Sequence, residues 1–240
     1  MCTAVGWPTP EGYLLAFNRD ELLSRAPALP PEARGGWLAP IDPEGGGTWL
    51  AVNTAGLTLA ALNVYTAAAQ APLPPIRSRG LLITDLIAAA DLRAVATNLR
   101  NHPALAHTRP FHILALALPG TALDCVWDGA RLQLTPAKLP LLRVSAALDP
   151  AAVQRARNLE FTRLSKELKT TVPSEVILRR WFASHTGNGA PRGVCMHREP
   201  LAATVSHSLV TVTARTVRFD YLAGPACQNG LQTAVTLARA

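Results

Sequence analysis

Aromatic residues make up only 5% of the 240-residue chain, charged residues only 16%, and lysine occurs just three times, at Lys138, Lys166 and Lys169. The net charge of +7 is therefore carried by arginine. No dense basic run and no interleaving of basic with aromatic residues is present, which argues against nucleic-acid binding. Long apolar runs are missing too. The best candidate, Ile113 to Leu118, stops at Pro119-Gly120, far short of the ~18 residues that a membrane span needs, so no integral membrane association is expected. The amino terminus, Met1-Cys2-Thr3-Ala4-Val5-Gly6, lacks the basic and apolar regions of an export signal, which makes the cytoplasm the expected compartment. Cysteine is sparse and unpaired in pattern: Cys2, Cys125, Cys195 and Cys227 form no C-x-x-C motif and read as free thiols in a reducing compartment.

What is there is a chain with 49% hydrophobic residues, enough to close a full core. A single domain spanning 1–240 is the expectation, because apolar segments on both sides of every proline-rich stretch need one another. Pro27 to Pro31 and Pro72 to Pro75 read as rigid surface loops within that unit. Strands are expected at the terminus beginning with Cys2, at Tyr13 to Asn18 and at Thr48 to Asn53. Leu57 to Val64 follows as a hairpin partner across Thr54-Ala55-Gly56. Ser78 to Asn101 reads as two helices, the second capped by Asp91. Strands return at Phe111 to Leu118, Ala122 to Trp127, Leu132 to Leu134 (across an Asp128-Gly129 turn) and Leu141 to Ser145. Asp149-Pro150 caps a helix marked by Val153, Leu159, Phe161, Leu164 and Leu168, and Ser174 opens a shorter one through Phe182. Gly193 to His197, Thr204 to Thr213 and Thr216 to Leu222 read as the closing strands. Strands, helices, strands, helices, strands suit an α+β fold with two mainly antiparallel sheets between helix layers.

Four segments carry chemistry of interest: Met1-Cys2-Thr3; Leu15-Ala16-Phe17-Asn18-Arg19-Asp20-Glu21; Gly46-Gly47-Thr48-Trp49 through Asn53, Gly56-Leu57 and Ala60 to Asn63; and Arg77-Ser78-Arg79-Gly80. In order and spacing they resemble the NRDE (TANGO2-like, transport and Golgi organisation) family, and Val194 to Ser206 extends the likeness toward the carboxyl terminus. More distantly, the same segments are similar to choloylglycine hydrolases and penicillin V acylases. The resemblance implies an Ntn-hydrolase-like αββα sandwich and a hydrolytic option. Cys2 would be the nucleophile once Met1 is removed, its own α-amine the base, Asp20 and Arg19 its catalytic neighbours, and Asn63 an oxyanion donor. Asn18, Trp49 and Arg79 are the substrate-binding candidates. Each has a structural alternative: Asn18 to Glu21 also suits a strand-to-loop turn knitted by an Arg–carboxylate pair, and Asn63 also suits a strand-end cap.

Two positions depart from the hydrolase pattern. Ala146 stands where those relatives carry an asparagine near the oxyanion, and Phe17 where the bile-salt and penicillin enzymes have an arginine. The resemblance implies a small-molecule substrate or ligand and no cofactor. It also implies an alternative, since eukaryotic members are associated with haem transfer, Golgi organisation and lipid homeostasis. In a carrier, haem would be transported cargo, with an axial ligand to be sought among His107, His112, His197, His207 or the cysteines. A silent scaffold is a third possibility. Cys195 and His197, two apart, share a face if that segment is a strand. Two ligands without a second pair nearby in sequence do not make a site, and no metal is expected.

Overall fold

The computed structural model describes residues 2–65, 77–168, 174–185 and 193–240; the expected loop at Pro72 to Pro75 lies outside them. The chain opens with six strands, β1 (Cys2–Thr9), β2 (Gly12–Leu22), β3 (Leu29–Arg34), β4 (Trp37–Ile41), β5 (Leu50–Asn53) and β6 (Thr58–Asn63). Helices α1 (Arg79–Leu86) and α2 (Leu92–Arg100) follow, then β7 (Phe111–Ala117), β8 (Thr121–Trp127), β9 (Leu132–Lys138) and β10 (Leu141–Ser145). Helices α3 (Pro150–Glu167) and α4 (Ser174–Phe182) precede the closing strands β11 (His197–Arg198), β12 (Ala202–Thr213), β13 (Thr216–Ala223) and β14 (Leu231–Ala238).

The strands form two antiparallel sheets. One runs β10-β1-β2-β12-β13-β14, with β11 on β12, and the other runs β3 to β9 in sequence order. Pairing of β2 with β12 joins the first and last thirds of the chain, with Phe17 opposite Ser208 and Leu15 opposite Val210.

Alternation along β2 explains the layering. Tyr13, Leu15 and Phe17 point between the sheets, where they meet Leu50, Val52, Leu62, Leu114 and Val210. Leu14 and Ala16 point the other way, onto Leu164, Ile177, Leu178 and Phe182 of α3 and α4. The second sheet does the same: Leu50 and Val52 face inward while Ala51, Leu57 and Leu59 pack on Leu82, Ile83, Leu86 and Val95 of α1 and α2. Period-2 burial on both faces of both sheets demands a helix layer outside each. The result is the αββα arrangement anticipated from the sequence. Among the described residues, no helix is long and apolar enough to cross a membrane.

Local signals account for the helix boundaries. Asp91 caps α2 by accepting from the Ala94 N–H at 2.7 Å, and Ser78 caps α1 by accepting from Gly80. Asp149 caps α3, with proline at the first helical turn. Three expectations need correction. The residues read as a closing strand at Gly193 to His197 are irregular up to Met196, and only His197–Arg198 pair with β12. Pro27 to Pro31 is not wholly loop, since β3 begins at Leu29; it is an edge strand, where proline costs no ladder hydrogen bond. Leu159, expected on the apolar face of α3, is 66% exposed, and Arg157 is buried there instead with 1% exposure.

Candidate active site

Alternation also decides where the polar end of β2 points. Cys2 pairs with Arg19 on one side and with Ser145 of β10 on the other. It shares the inter-sheet face with Ala4, and Arg19 continues the inter-sheet face of Phe17. Both line a cavity of about 370 Å3 at one end of the sheets, together with Asp20, Glu21, Trp49, Asn63, Arg79 and Arg109, a volume within the range of small-molecule pockets. Six of the seven sequence candidates, from four separate segments, are thus brought together.

The seventh is not. Asn18 faces the helix layer: its amide donates to the carbonyls of Phe182 and Val194, each at 2.9 Å, and its oxygen lies 2.8 Å from His207 Nδ1. It fastens β2 to the end of α4 and does not reach the cavity, which corrects its assignment as a substrate-binding residue. The reason is the pleat, which turns neighbours 18 and 19 to opposite faces.

Arg19 stacks over the Trp49 ring, its Cζ 4.4 Å from the ring centroid, and reaches Glu21 at 3.4 Å and Asp42 at 3.6 Å. The Arg–carboxylate pair anticipated within the segment is present, but on a strand that runs to Leu22, not on a turn. Arg25 is held by Asp42 at 2.6 Å. Asp20 accepts from the Thr204 hydroxyl at 2.7 Å. Burial pushes the Asp20 carboxyl above the ordinary carboxylate range, although Arg157 and the Thr204 bond act to lower it. Burial likewise raises the Cys2 thiol; the Asp20 carboxylate adds to the rise, while the Asp20 backbone N–H and Arg19 oppose it. Arg19 therefore does not by itself make Cys2 a thiolate.

Asn63, at the end of β6, donates to the Tyr65 hydroxyl at 3.2 Å, which leaves its second N–H. Trp49 carries a buried indole N–H without a partner among the described residues. Arg79 donates to the Pro110 carbonyl at 3.1 Å. Burial chiefly lowers its pKa, with the neighbouring Arg109 charge acting in the same direction and Tyr65 against it. Asn53, also part of the matching segment, is structural: its amide donates to the carbonyls of Ile87 and Ala89 at the end of α1.

The glycines of two motifs have one explanation. A Cβ on Gly47 would sit 2.2 Å from the Gly80 carbonyl carbon, and one on Gly80 would sit 2.9 Å from the Thr48 nitrogen. The loop before β5 rests directly on the first turn of α1, where Thr48 N–H donates to Gly80 at 3.2 Å. This contact forms the cavity wall between Trp49 and Arg79.

Sequence reasoning missed Arg157. From α3 it reaches beneath β1, donating to the Thr3 hydroxyl and to the Gly193 carbonyl at 2.8 Å, and its charge acts on Asp20. The available signal was a charged residue four positions after Val153, on the apolar stripe of the helix. Ala146, singled out in the sequence as a departure, directly follows Ser145, the residue paired with Cys2, and is buried.

Behind the site, His207 is 3% exposed, and burial, aided by the Arg179 charge, holds its pKa down to about 3. An unfolded histidine titrates near ~6.5. Below that pH the unfolded chain takes up a proton that the folded chain refuses until about pH 3, so stability falls as pH drops through this window. The slope is ~1.4 kcal/mol per pH unit for one proton. Urea melts at pH 6.5 and pH 5 should show this group costing the wild type roughly 2 kcal/mol, a loss that His207→Gln abolishes; identical acid dependence in the two proteins would refute it.

No curated protein matches the chain in sequence. Among solved structures it is similar to a mutant conjugated bile acid hydrolase from Clostridium perfringens (12% identity, covering 98% of this chain and 92% of that one, TM-score 0.57). It is also similar to a penicillin V acylase from Agrobacterium tumefaciens (12% identity, 93% and 83%, TM-score 0.56). A third likeness is to the Caenorhabditis elegans N-acylethanolamine-hydrolyzing acid amidase ortholog (11% identity, 87% and 92%, TM-score 0.60). At these identities the likeness is one of fold, the αββα fold of the N-terminal-nucleophile hydrolases. The model of the transport and Golgi organisation 2 family matches residues 1–142, the part that contributes Cys2, the β2 polar segment, the Gly47–Gly80 contact and Asn63, and the chain belongs to that family.

Proposed function

We propose that the protein is an N-terminal-nucleophile hydrolase in which Cys2, exposed by removal of Met1, attacks an amide or other acyl bond of a small molecule bearing an anionic group. The observation that carries this reading is the convergence of Cys2, Arg19, Asp20, Asn63, Trp49 and Arg79 on one cavity. Once Met1 is gone, the Cys2 α-amine, a group whose ordinary pKa is about 7.7–8.0, supplies near neutral pH the base that the buried thiol needs. The amine takes the thiol proton, and sulfur bonds to the carbonyl carbon. The oxyanion accepts from the Asn63 side chain. Collapse breaks the C–N or C–O bond, and the leaving group takes its proton from the ammonium. Water, deprotonated by the same amine, then hydrolyses the thioester. Asp20 holds the ammonium, and the unpartnered Trp49 N–H offers a donor to the substrate.

Arg79 supports the anionic end of the substrate. It lines the cavity beside Arg109 and has no carboxylate partner among the described residues. Two neighbouring guanidinium groups favour an anion between them. Arg79→Met should raise KM for N-acyl amino acids by about 10–100-fold with little change in kcat, the signature of lost uniform binding. Amine release from such substrates, and alcohol release from matching esters, is the assay. If neither class is turned over, or if Arg79→Met leaves KM unchanged, the anionic-substrate reading fails.

The carrier alternative has one observation in its favour, a second cavity of about 400 Å3 lined by Leu22, Leu23, Pro27, Ala28, Val205 and Tyr221 among others. Neither cavity has a histidine among its described lining residues, and His207 is engaged by Asn18 inside the fold. Haem titration of wild type and Cys2→Ala discriminates the readings, since a carrier tolerates that change.

A further inference from the structure

The sequence offered Cys195 and His197 as two metal-ligand types without a second pair. The fold supplies that pair from outside the cavity. His185, just after α4, and Cys227, in the connection between β13 and β14, place their ligand atoms with that of His197 within 4.8 Å of one another. Cys227 Sγ is 3.2 Å from His197 Nε2, and Cys195 Sγ is 3.8 Å from the same nitrogen. Ligands of a tetrahedral ion bound at 2.0–2.3 Å lie about 3.3–3.8 Å apart, close to these two separations, and Cys195, outside the three-residue group, adds a fourth ligand through its contact with His197. They come from three segments distant in sequence.

The outer contacts match as well. His185 Nδ1 lies 3.1 Å from the Cys195 carbonyl, and His197 Nδ1 lies 2.9 Å from Glu199 Oε1. A carbonyl and a carboxylate each fix the tautomer in which Nδ1 carries the proton and Nε2 keeps its lone pair. Metal-ligating histidines are oriented in this way.

We propose that His185, Cys195, His197 and Cys227 hold a structural zinc-type divalent ion. Two thiolates and two imidazoles are a ligand set that suits Zn2+ and disfavours Mg2+ and Ca2+, which require oxygen ligands. With four protein ligands the site is closed and therefore structural. Binding displaces the two thiol protons to solvent, with no redox change. The role follows from what the bound segment touches. The Gly193 carbonyl accepts from Arg157, the Val194 carbonyl accepts from Asn18, and the Met196 N–H donates to the Thr204 hydroxyl, which in turn donates to Asp20. The irregular stretch 193–196 thus braces the back of the candidate active site, and the ion would pin it. This role does not depend on the hydrolase reading.

Metal analysis of the full chain, purified without an affinity tag that binds metal and dialysed against metal-free buffer, is expected to find one zinc per chain. Replacement with Co2+ should give a thiolate-to-cobalt charge-transfer band and tetrahedral d–d absorption. Cys227→Ser, on an exposed turn that the core does not need, should lose that band and most of the zinc. Glu199→Gln should weaken zinc binding by about 10–100-fold. Chelation should lower the Tm of the wild type and leave that of Cys227→Ser unmoved. Failure to take up zinc when supplied, or equal uptake by wild type and Cys227→Ser, would overturn the proposal. So would loss of two titratable thiols to a Cys195–Cys227 disulfide under non-reducing purification with no metal bound.

Discussion

On the proposed reading, replacing Cys2 by alanine is expected to lower acyl transfer by roughly 10⁴-fold or more, as removal of a nucleophile does in acyl-transfer enzymes, while the fold survives. Cys2 is held in β1 by backbone pairing to Arg19 and Ser145 on its two sides, and these bonds do not involve its side chain. Truncating one sulfur at the half-buried margin of the inter-sheet core should cost no more than about 1 kcal/mol, near the centre of the range for single substitutions. Cys2→Ser should fall between, because it keeps the α-amine base but presents a poorer nucleophile. Comparison of kcat/KM with Tm separates chemistry from folding. A Cys2→Ala protein with undiminished turnover would show that the reaction belongs to some other residue.

The second large effect is structural. Arg157→Met should destabilise the protein by about 3–5 kcal/mol, the cost of breaking one side of a buried charged network. In a chain of this size that is a Tm drop of roughly 10 °C. The guanidinium is buried among Thr3, the Gly193 carbonyl and the charge of Asp20, and a thioether leaves those groups unmatched. Arg157→Lys should recover part of the loss, since one ammonium keeps the charge but cannot span the hydroxyl and the carbonyl as the planar fork does. Differential scanning calorimetry reads this directly. A change within 1 kcal/mol for Arg157→Met would mean that Asp20 does not depend on it.

Most of the layered fold was legible because it rests on periods of two and on caps. The alternation of Tyr13 to Phe17 announces a strand buried on both faces, and Asp91 marks the break between α1 and α2. Strands β3 and β4 were hidden by Pro30, Pro31 and Pro40, residues that erase the strand signal yet fit an edge and its neighbour. The apolar run Val194-Cys195-Met196 imitates a strand, whereas its carbonyls and amides are spent on the side chains of Arg157, Asn18 and Thr204. Burial without a ladder cannot be told from burial within one by composition.

The site was legible as a set of residues but not as a geometry. Motif spacing picked out Cys2, Arg19, Asp20, Trp49, Asn63 and Arg79. It could not tell that Asn18 turns to the helices, because four consecutive polar residues carry no internal sign of which face is which. The reference point was Phe17, whose inward direction fixes Arg19 inward and Asn18 outward. The contacts of Arg157 with Thr3 and of His197 with Cys227 join residues 154 and 30 positions apart, and no local pattern encodes them.

The most direct test is peptide-resolved mass spectrometry of the purified protein after reaction with an electrophilic acyl probe. The expected result is a chain that begins at Cys2, lacks Met1 and carries one acyl group on Cys2, with no label on the Cys2→Ala protein. A chain that retains Met1 and is labelled only at the exposed Cys227 would contradict the assignment of Cys2 as the nucleophile.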